Sequence, residues 1–200
     1  MLHIVDDEDV IRDALEWLAQ SRGLAARGHA GGQAFLDALG AHPDAADADG
    51  AHGQCVLLDV RMQGMNGIAV FDQLVARGLL ARLPVIFLTG HGDVPMAVDS
   101  LKRGAFDFFE KPFNDNELMD RVEEAMARSR QAAASSAVRE RLSTLSARER
   151  EVLDLILAGN MNKVVADKLG ISMRTVEVHR AHIFDKMQVK TAVELAGLLK

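Results

Sequence analysis

Up to residue 112 the chain alternates short apolar runs with amphipathic stretches. The apolar runs fall near 2–5, 24–28, 54–58, 84–88 and 106–109. Helical patterns fill 8–22, 31–39, 67–77 and 93–103, and another starts at 114. Strands alternating with helices constrain the chain strongly, because they predict a parallel sheet covered by helices. The second run, Leu24-Ala25-Ala26-Arg27-Gly28, has the weakest strand pattern. Residues 41–53, rich in Ala, Asp, Gly and His, read as an exposed mobile loop, longer than most connections of this kind. Asp9 reads as a cap on the first helix.

Polar residues close these runs. Asp59 ends Cys55-Val56-Leu57-Leu58, Asp6 and Asp7 follow Leu2-His3-Ile4-Val5, Thr89 follows Pro84-Val85-Ile86-Phe87-Leu88, and Lys111-Pro112 comes soon after Phe106-Asp107-Phe108-Phe109. Open α/β sheets carry their reactive groups at the carboxyl edge of the strands, so one pocket is predicted. The residue types fit a phosphoryl acceptor. A carboxylate attacking phosphorus approaches another anion, and a bridging divalent cation lowers that repulsion. Mg²⁺ takes a few carboxylates plus water and phosphate oxygens, which Asp6, Asp7 and Asp59 suit. Lys111 offers a point charge to a phosphoryl oxygen, Thr89 a hydroxyl donor, and Asp59 the nucleophile. Taken singly, each is an ordinary cap or turn residue. All four together, in order at matching strand ends, are not.

The chain has 200 residues and a net charge of −6. Residues 1–137 hold 12 basic and 21 acidic side chains, and residues 138–200 hold 11 and 8. An acidic part joined to a mildly basic one is the pattern of a domain coupled to a nucleic-acid binder. No apolar run approaches the ~18 residues of a membrane span. The first strand is expected to start at Leu2, which would leave no room for a signal peptide. The single cysteine, Cys55, cannot form an internal disulfide and reads as packing, so the simplest location is the cytoplasm.

Residues 115–142 contain neither Gly nor Pro. The run Gln131-Ala132-Ala133-Ala134-Ser135-Ser136 fits a flexible linker, but continuation of the fifth helix as a semi-rigid spacer is favoured. Beyond it the pattern is purely helical. Ser146-Ala147-Arg148-Glu149 is a capping box, and its helix should stop at Gly159. A short helix from Asn162 should end before Gly170, Ser172 should cap a third near 172–187, and Thr191 a fourth. Two of these form a helix-turn-helix arrangement.

Residues 1–125 resemble the receiver domain of bacterial two-component response regulators. The resemblance rests on Val5-Asp6-Asp7-Glu8, Leu58-Asp59-Val60-Arg61-Met62, Gly64-Met65-Asn66-Gly67, Thr89-Gly90-His91-Gly92 and Lys111-Pro112-Phe113. It implies an α/β fold, the flavodoxin-like doubly wound five-stranded sheet of order 2-1-3-4-5. It implies Asp59 as the phosphorylated aspartate, with Asp7, Asp59 and the Arg61 backbone carbonyl as direct ligands of Mg²⁺ (or Mn²⁺) and Asp6 acting through water. It also implies a switch in which Thr89 moves toward the phosphoryl group and Phe108, three residues before Lys111, rotates inward. Phe106, Phe108 and Phe109 also read as strand core. Region 94–109 would pair two receivers, and His91 and Arg61 would tune how long the phosphoryl group survives. One residue departs from the family: Gln63 stands where Pro is usual, which restores an N–H and predicts a looser loop after Asp59.

Residues 143–200 resemble the LuxR/GerE-type helix-turn-helix, through Leu145-Ser146-Ala147-Arg148-Glu149-Arg150-Glu151-Val152-Leu153, Gly159, Asn162-Lys163, Ala166, Leu169-Gly170-Ile171-Ser172, Thr175-Val176, His179 and Lys186-Met187. Periodicity maps the third helix independently. Val176, His179, Ile183 and Met187 should face inward, and Arg174, Glu177, Val178, Ala181 and Asp185 outward. Arg174 can read guanine, Glu177 can accept from cytosine N4, and Val178 can touch a thymine methyl. Glu177 reads almost equally well as an exposed charge that repels phosphate. Lys163, Thr175, Arg180, His182 and Lys186 sit better for phosphates. His179 reads as a buried or capping histidine. The stripe Ala192, Leu195, Ala196 and Leu199 can supply a dimer face or be core.

Both halves together resemble the FixJ/NarL family of response regulators, FixJ-like branch. The implied organisation is a receiver at 1–125, a helical linker at 126–142 and an all-α four-helix DNA-binding domain at 143–200. The implied function is a phosphorylation-activated transcription regulator. Its partners would be a sensor histidine kinase, double-stranded promoter DNA, a second copy on activation and RNA polymerase, with no membrane. It would not be an enzyme, beyond catalysing its own Mg²⁺-dependent phosphoryl transfer and slow dephosphorylation. Two rivals are weaker. A small-molecule phosphatase or phosphotransferase does not need the DNA-reading tail. A regulator acting by protein contacts alone does not need the full acid, Thr and Lys set.

Overall fold

The computed structural model describes residues 1–41, 53–90 and 94–199. Most of the expected loop at 41–53 lies outside the described residues, as does His91. Among the described residues no helix is long and apolar enough to cross a membrane.

Strands β1 (Leu2–Val5), β2 (Ala26–His29), β3 (Cys55–Asp59), β4 (Val85–Thr89) and β5 (Asp107–Glu110) form one parallel sheet of order β2-β1-β3-β4-β5. Helices α1 (Asp9–Ser21), α2 (Gly32–Ala41), α3 (Gly67–Ala76) and α4 (Val94–Lys102) connect them, and α5 (Asp115–Ser143) follows. The expected fold and strand order are therefore found. Every residue of β3 and β4 is buried, because both faces of the sheet are covered. One core layer holds Val56, Leu58, Phe71, Leu74 and Phe87. The other holds Ile4, Leu57, Ile86, Leu88, Leu118 and Val122. Neighbouring strand residues alternate between the two layers.

Three strands begin one residue later than the sequence pattern predicts, so Asp59 and Thr89 are the last residues of β3 and β4. The second strand begins two residues late. The Leu24 N–H donates to Ala19 O at 2.9 Å and closes α1, and Gly23 turns the chain at φ 71°. Asp9 does not cap α1. The cap position is Glu8, which makes no side-chain cap bond, and Asp9 pairs with Arg12 in the first turn. On one face of the sheet His3 Nδ1 lies 3.1 Å from His29 Nε2, and His3 Nε2 lies 3.2 Å from Gln54 Oε1. The Phe35 ring stands edge-on to both histidines.

The chain divides into two compact units, 1–134 and 135–200. Helix α5 is continuous, as favoured, across the Ala-Ser run. Its Leu118, Met119, Val122, Ala125 and Met126 belong to the first core. The buried Ser129 hydroxyl donates to Arg82 O at 2.5 Å and accepts the Gln54 N–H at 2.9 Å. In the second unit, Val138 and Leu142 pack against α6 (Ala147–Leu157), α7 (Asn162–Leu169), α8 (Met173–Met187) and α9 (Ala192–Leu198) through the cluster centred on Val152, Val165, Val176 and Ile183.

The helix ends follow the expected chemistry. The Ser146–Glu149 capping box is complete. Gly170 takes the left-handed conformation after α7, and Ser172 and Thr191 cap α8 and α9. Gln188 ends α8 at φ 56°, a left-handed position that its sequence did not signal. The α9 stripe is core: Leu195 is fully buried, and Ala192 and Leu199 pack against the same cluster.

Candidate functional site

The strand ends bring Asp6, Asp59, Thr89 and Lys111 together. Asp6 Oδ1 accepts the Glu8 N–H at 2.9 Å, which leaves Oδ2 for Lys111 Nζ at 2.9 Å. The same ammonium donates to Asp59 Oδ1 at 2.6 Å. Asp6 and Asp59 are 1% and 6% exposed, so this cation sits between two carboxylates that water hardly reaches. Backbone bonds hold the edge in register: Lys111 N–H to Thr89 O at 2.7 Å, and Val60 N–H to Leu88 O at 3.0 Å. The Thr89 hydroxyl donates to Gly90 O at 3.2 Å. The Lys111–Pro112 peptide is cis.

Electrostatics follow from this burial. Burial pushes the Asp59 carboxyl above the usual range, against the hydrogen bond and charge of Lys111. Burial also works against the Lys111 ammonium, yet its bonds to Asp59 and Asp6 carry its pKa upward. A desolvated carboxylate held against one fixed cation is suited to meet an anionic electrophile.

Beside it opens a cleft of about 420 Å³ lined by Asp7, Val60, Arg61, Met62, Gln63 and Asn66. Asp7 Oδ2 accepts the backbone N–H of Gln63 at 2.9 Å, so the loop is tied where the sequence predicts looseness. Gly67 must be glycine: a Cβ there would lie 2.2 Å from Asp59 O, where α3 starts across the end of β3. Among the described residues no three His, Cys, Asp or Glu side chains form a metal-binding group. Asp7 and Arg61 line the cleft next to the end of β3, and Mg²⁺, which needs only one or two carboxylates beside water and phosphate, would find hard oxygen donors there.

Phe108 is half-buried and packs on the core layer that holds Phe87. Phe106 and Phe109 pack on the opposite layer. All three are thus core to some degree. Cys55 is fully buried, and burial pushes its thiol up to about 12, which leaves it inert.

In the second unit α8 divides as its periodicity predicts. Val176, Ile183 and Met187 are buried, while Arg174, Glu177, Val178, Ala181 and Asp185 are exposed. His179 is half-buried, and its Nδ1 has no hydrogen-bond partner among the described residues. Lys163 and His182 are exposed. Arg180 lies over the Phe184 ring at 5.3 Å, Thr175 Oγ1 lies 2.8 Å from Ser172 Oγ, and Arg174 pairs with Glu177 at 3.5 Å. Lys186 is engaged internally, 2.7 Å from Glu149 Oε2. Sequence reading found Glu149 only as a cap; its partner 37 residues away carries no local signal.

Residues 2–123 match the response regulator receiver domain, and residues 143–199 match the bacterial regulatory proteins of the luxR family. The chain is a two-component response regulator. This response regulator is 51% identical, over 98% of both chains, to the C4-dicarboxylate transport transcriptional regulatory protein DctR of Rhodobacter capsulatus. It is 44% identical to the transcriptional regulatory protein FixJ of Azorhizobium caulinodans, over 98% of this chain and 90% of that one. Among solved structures it is similar to the response regulator StyR, with a TM-score of 0.69 at 35% identity, covering 99% of this chain and 96% of that one. It is also similar to full-length FixJ from B. japonicum, with a TM-score of 0.55 at 38% identity, covering 98% and 94%. The response regulator is thus a transcription regulator that joins a receiver to a LuxR-type DNA-binding domain, as the sequence resemblance implies.

Proposed function

We propose that Asp59 accepts a phosphoryl group from a partner histidine kinase, and that this drives dimerisation and promoter binding. The observation that carries the reading is the Lys111 ammonium bridging Asp59 and Asp6 at 2.6 and 2.9 Å. An Asp59 carboxylate oxygen attacks phosphorus, and the bond to the kinase histidine nitrogen breaks. Lys111 moves its hydrogen bond from the carboxylate to a phosphoryl oxygen, and the Thr89 hydroxyl turns from Gly90 O to another. Asp7, Asp59 and the Arg61 carbonyl would hold Mg²⁺ (or Mn²⁺), and Asp6 would act through water. When bound, that ion supplies charge neutralisation between carboxylate and phosphoryl oxygens.

Thr89 and Phe108 belong to adjacent strands, β4 and β5, which gives their coupling a short route. Phe108 has no hydroxyl to satisfy when it moves further inward. Region 94–109 then pairs two receivers. Paired modules place α8 in successive major grooves, since one module buries too little surface for tight specific binding. Arg174, Glu177 and Val178 read bases, Ala181 lies on the same exposed face, and Lys163, Thr175, Arg180 and His182 meet phosphates. Once on a promoter, in the cytoplasm, the regulator can engage RNA polymerase.

Incubation with acetyl phosphate and Mg²⁺ tests the acceptor. The expected result is a mass gain of one phosphoryl group that is absent from Asp59→Asn. A gain that persists in Asp59→Asn, or none in the wild type, refutes it.

A further inference from the structure

Glu149 opens α6, yet it ties together three parts of the DNA-reading unit. Its Oε2 accepts the Ser146 N–H at 2.8 Å and the Lys186 ammonium at 2.7 Å. Its Oε1 lies 3.7 Å from His182 Nδ1. Lys186 also donates to Thr144 O at 3.1 Å, in the turn that follows α5. Glu149 is 4% exposed, so this carboxylate has little water to fall back on. The Lys186 hydrogen bond, with those from Ser146, holds its pKa down to about 2. Lys186 stands in the last turn of α8, eight residues or roughly 12 Å along the helix from Val178.

We infer that Lys186 is a positioning residue, a strut that with Glu149 sets the pitch of α8 against α6 so that Arg174 and Val178 meet the base edges, and that it is not a phosphate contact. The inference rests on α8 as the groove-reading helix. An ammonium already paired with a buried carboxylate displaces no counterion from DNA when the complex forms. A phosphate contact does, and it steepens the salt dependence of binding. A small change of pitch at the pinned end is carried along the rigid helix to the reading end. Losing the strut therefore weakens the specific complex and leaves non-specific binding alone. Losing a phosphate contact weakens both equally.

The experiment uses the full chain with Mg²⁺ and beryllofluoride. The probe is a duplex selected by the wild type from a random pool, set against an unrelated duplex, across a salt series. In Lys186→Met the strut predicts a loss of about tenfold or more in specific affinity. Non-specific affinity stays the same, and the slope of log K against log salt stays at the wild-type value. Glu149→Gln keeps the capping box, because Gln also serves at that position. It should lose specificity as well, although it makes the protein more positive. Uniform weakening on both duplexes with a slope smaller by about 0.9 overturns the strut for Lys186. Tighter specific binding by Glu149→Gln also overturns it, and that variant decides the question if Lys186→Met does not fold. A wild type that selects no sequence sinks the groove reading itself, and the strut with it. A wild type that selects a site while both variants keep its affinity sinks the strut alone.

Discussion

The backbone N–H of Gln63 donates to Asp7 Oδ2 at 2.9 Å. Proline, usual in the receiver family at this position, has no such donor. The bond orients a carboxylate that is proposed to hold Mg²⁺, so part of the ordering that a metal would otherwise impose is already present. Gln63→Pro is expected to weaken Mg²⁺ binding by about threefold, in line with a charge-assisted hydrogen bond of modest exposed strength. Gln63→Ala keeps the N–H and should match the wild type. Titration calorimetry separates the two variants. Equal affinity in Gln63→Pro would show that the bond does nothing for the site.

Burial holds the imidazoles of His3 and His29 down at about 4, and the N-terminal amine and Arg27 press in the same direction on His3. Their ordinary value is 6.5. The unfolded chain therefore takes up protons as pH falls below 6.5, while the folded chain resists until about 4. Stability is fully present above 6.5, declines between 6.5 and 4, and levels below that as far as these groups decide it. Glu149 adds a separate decline from 4.5 toward about 2. Urea midpoints measured across pH 7 to 4 should fall in the wild type. They should fall less in a variant carrying His3→Phe and His29→Phe. An identical slope in that variant removes the histidine pair as the cause.

The carboxyl edge of the sheet is legible because a polar residue closing an apolar run marks that edge without any knowledge of the turns. Which edge residues meet is another matter. Asp6 and Lys111 lie 105 residues apart, and their contact depends on strand order, which came from the family resemblance and not from periodicity. The late start of β2 was hidden because Leu24 is apolar enough for a strand while its N–H belongs to the end of α1. Glu149 was hidden by its own success, since the capping box accounts for it locally and nothing nearby points to Lys186. The Gln63 contact is made by the backbone, and a backbone donor has no residue identity to read. Only the missing proline hinted at it.

Two residues of α9 separate core from surface. Leu195 is fully buried, whereas Val193 is 82% exposed. Leu195→Ala is expected to destabilise the protein by about 2–5 kcal/mol through lost burial and the cavity left behind. Val193→Ala should change stability by less than ~0.5 kcal/mol. Denaturant unfolding of the full chain, followed by a probe in the second unit, measures both. A stable Leu195→Ala that fails to self-associate would return this stripe to a dimer role.

Arg174 and Val178 are four residues apart, on the exposed face of α8 near its capped end. The Arg174–Glu177 pair spans 3.5 Å with Arg174 85% exposed, and so exposed a pair is worth little, leaving the guanidinium available for a base. Arg174→Ala should therefore relax discrimination at one base pair by about 1–3 kcal/mol. Val178→Ala should relax it at a neighbouring pair by less, since a methyl contact is weaker than a bidentate one. Lys163→Ala should weaken all sequences alike and reduce the salt slope by about 0.9. Binding to duplexes carrying every single-base change of a selected site resolves these patterns. If Arg174→Ala and Val178→Ala keep the wild-type preference at every position, α8 does not read bases through this face.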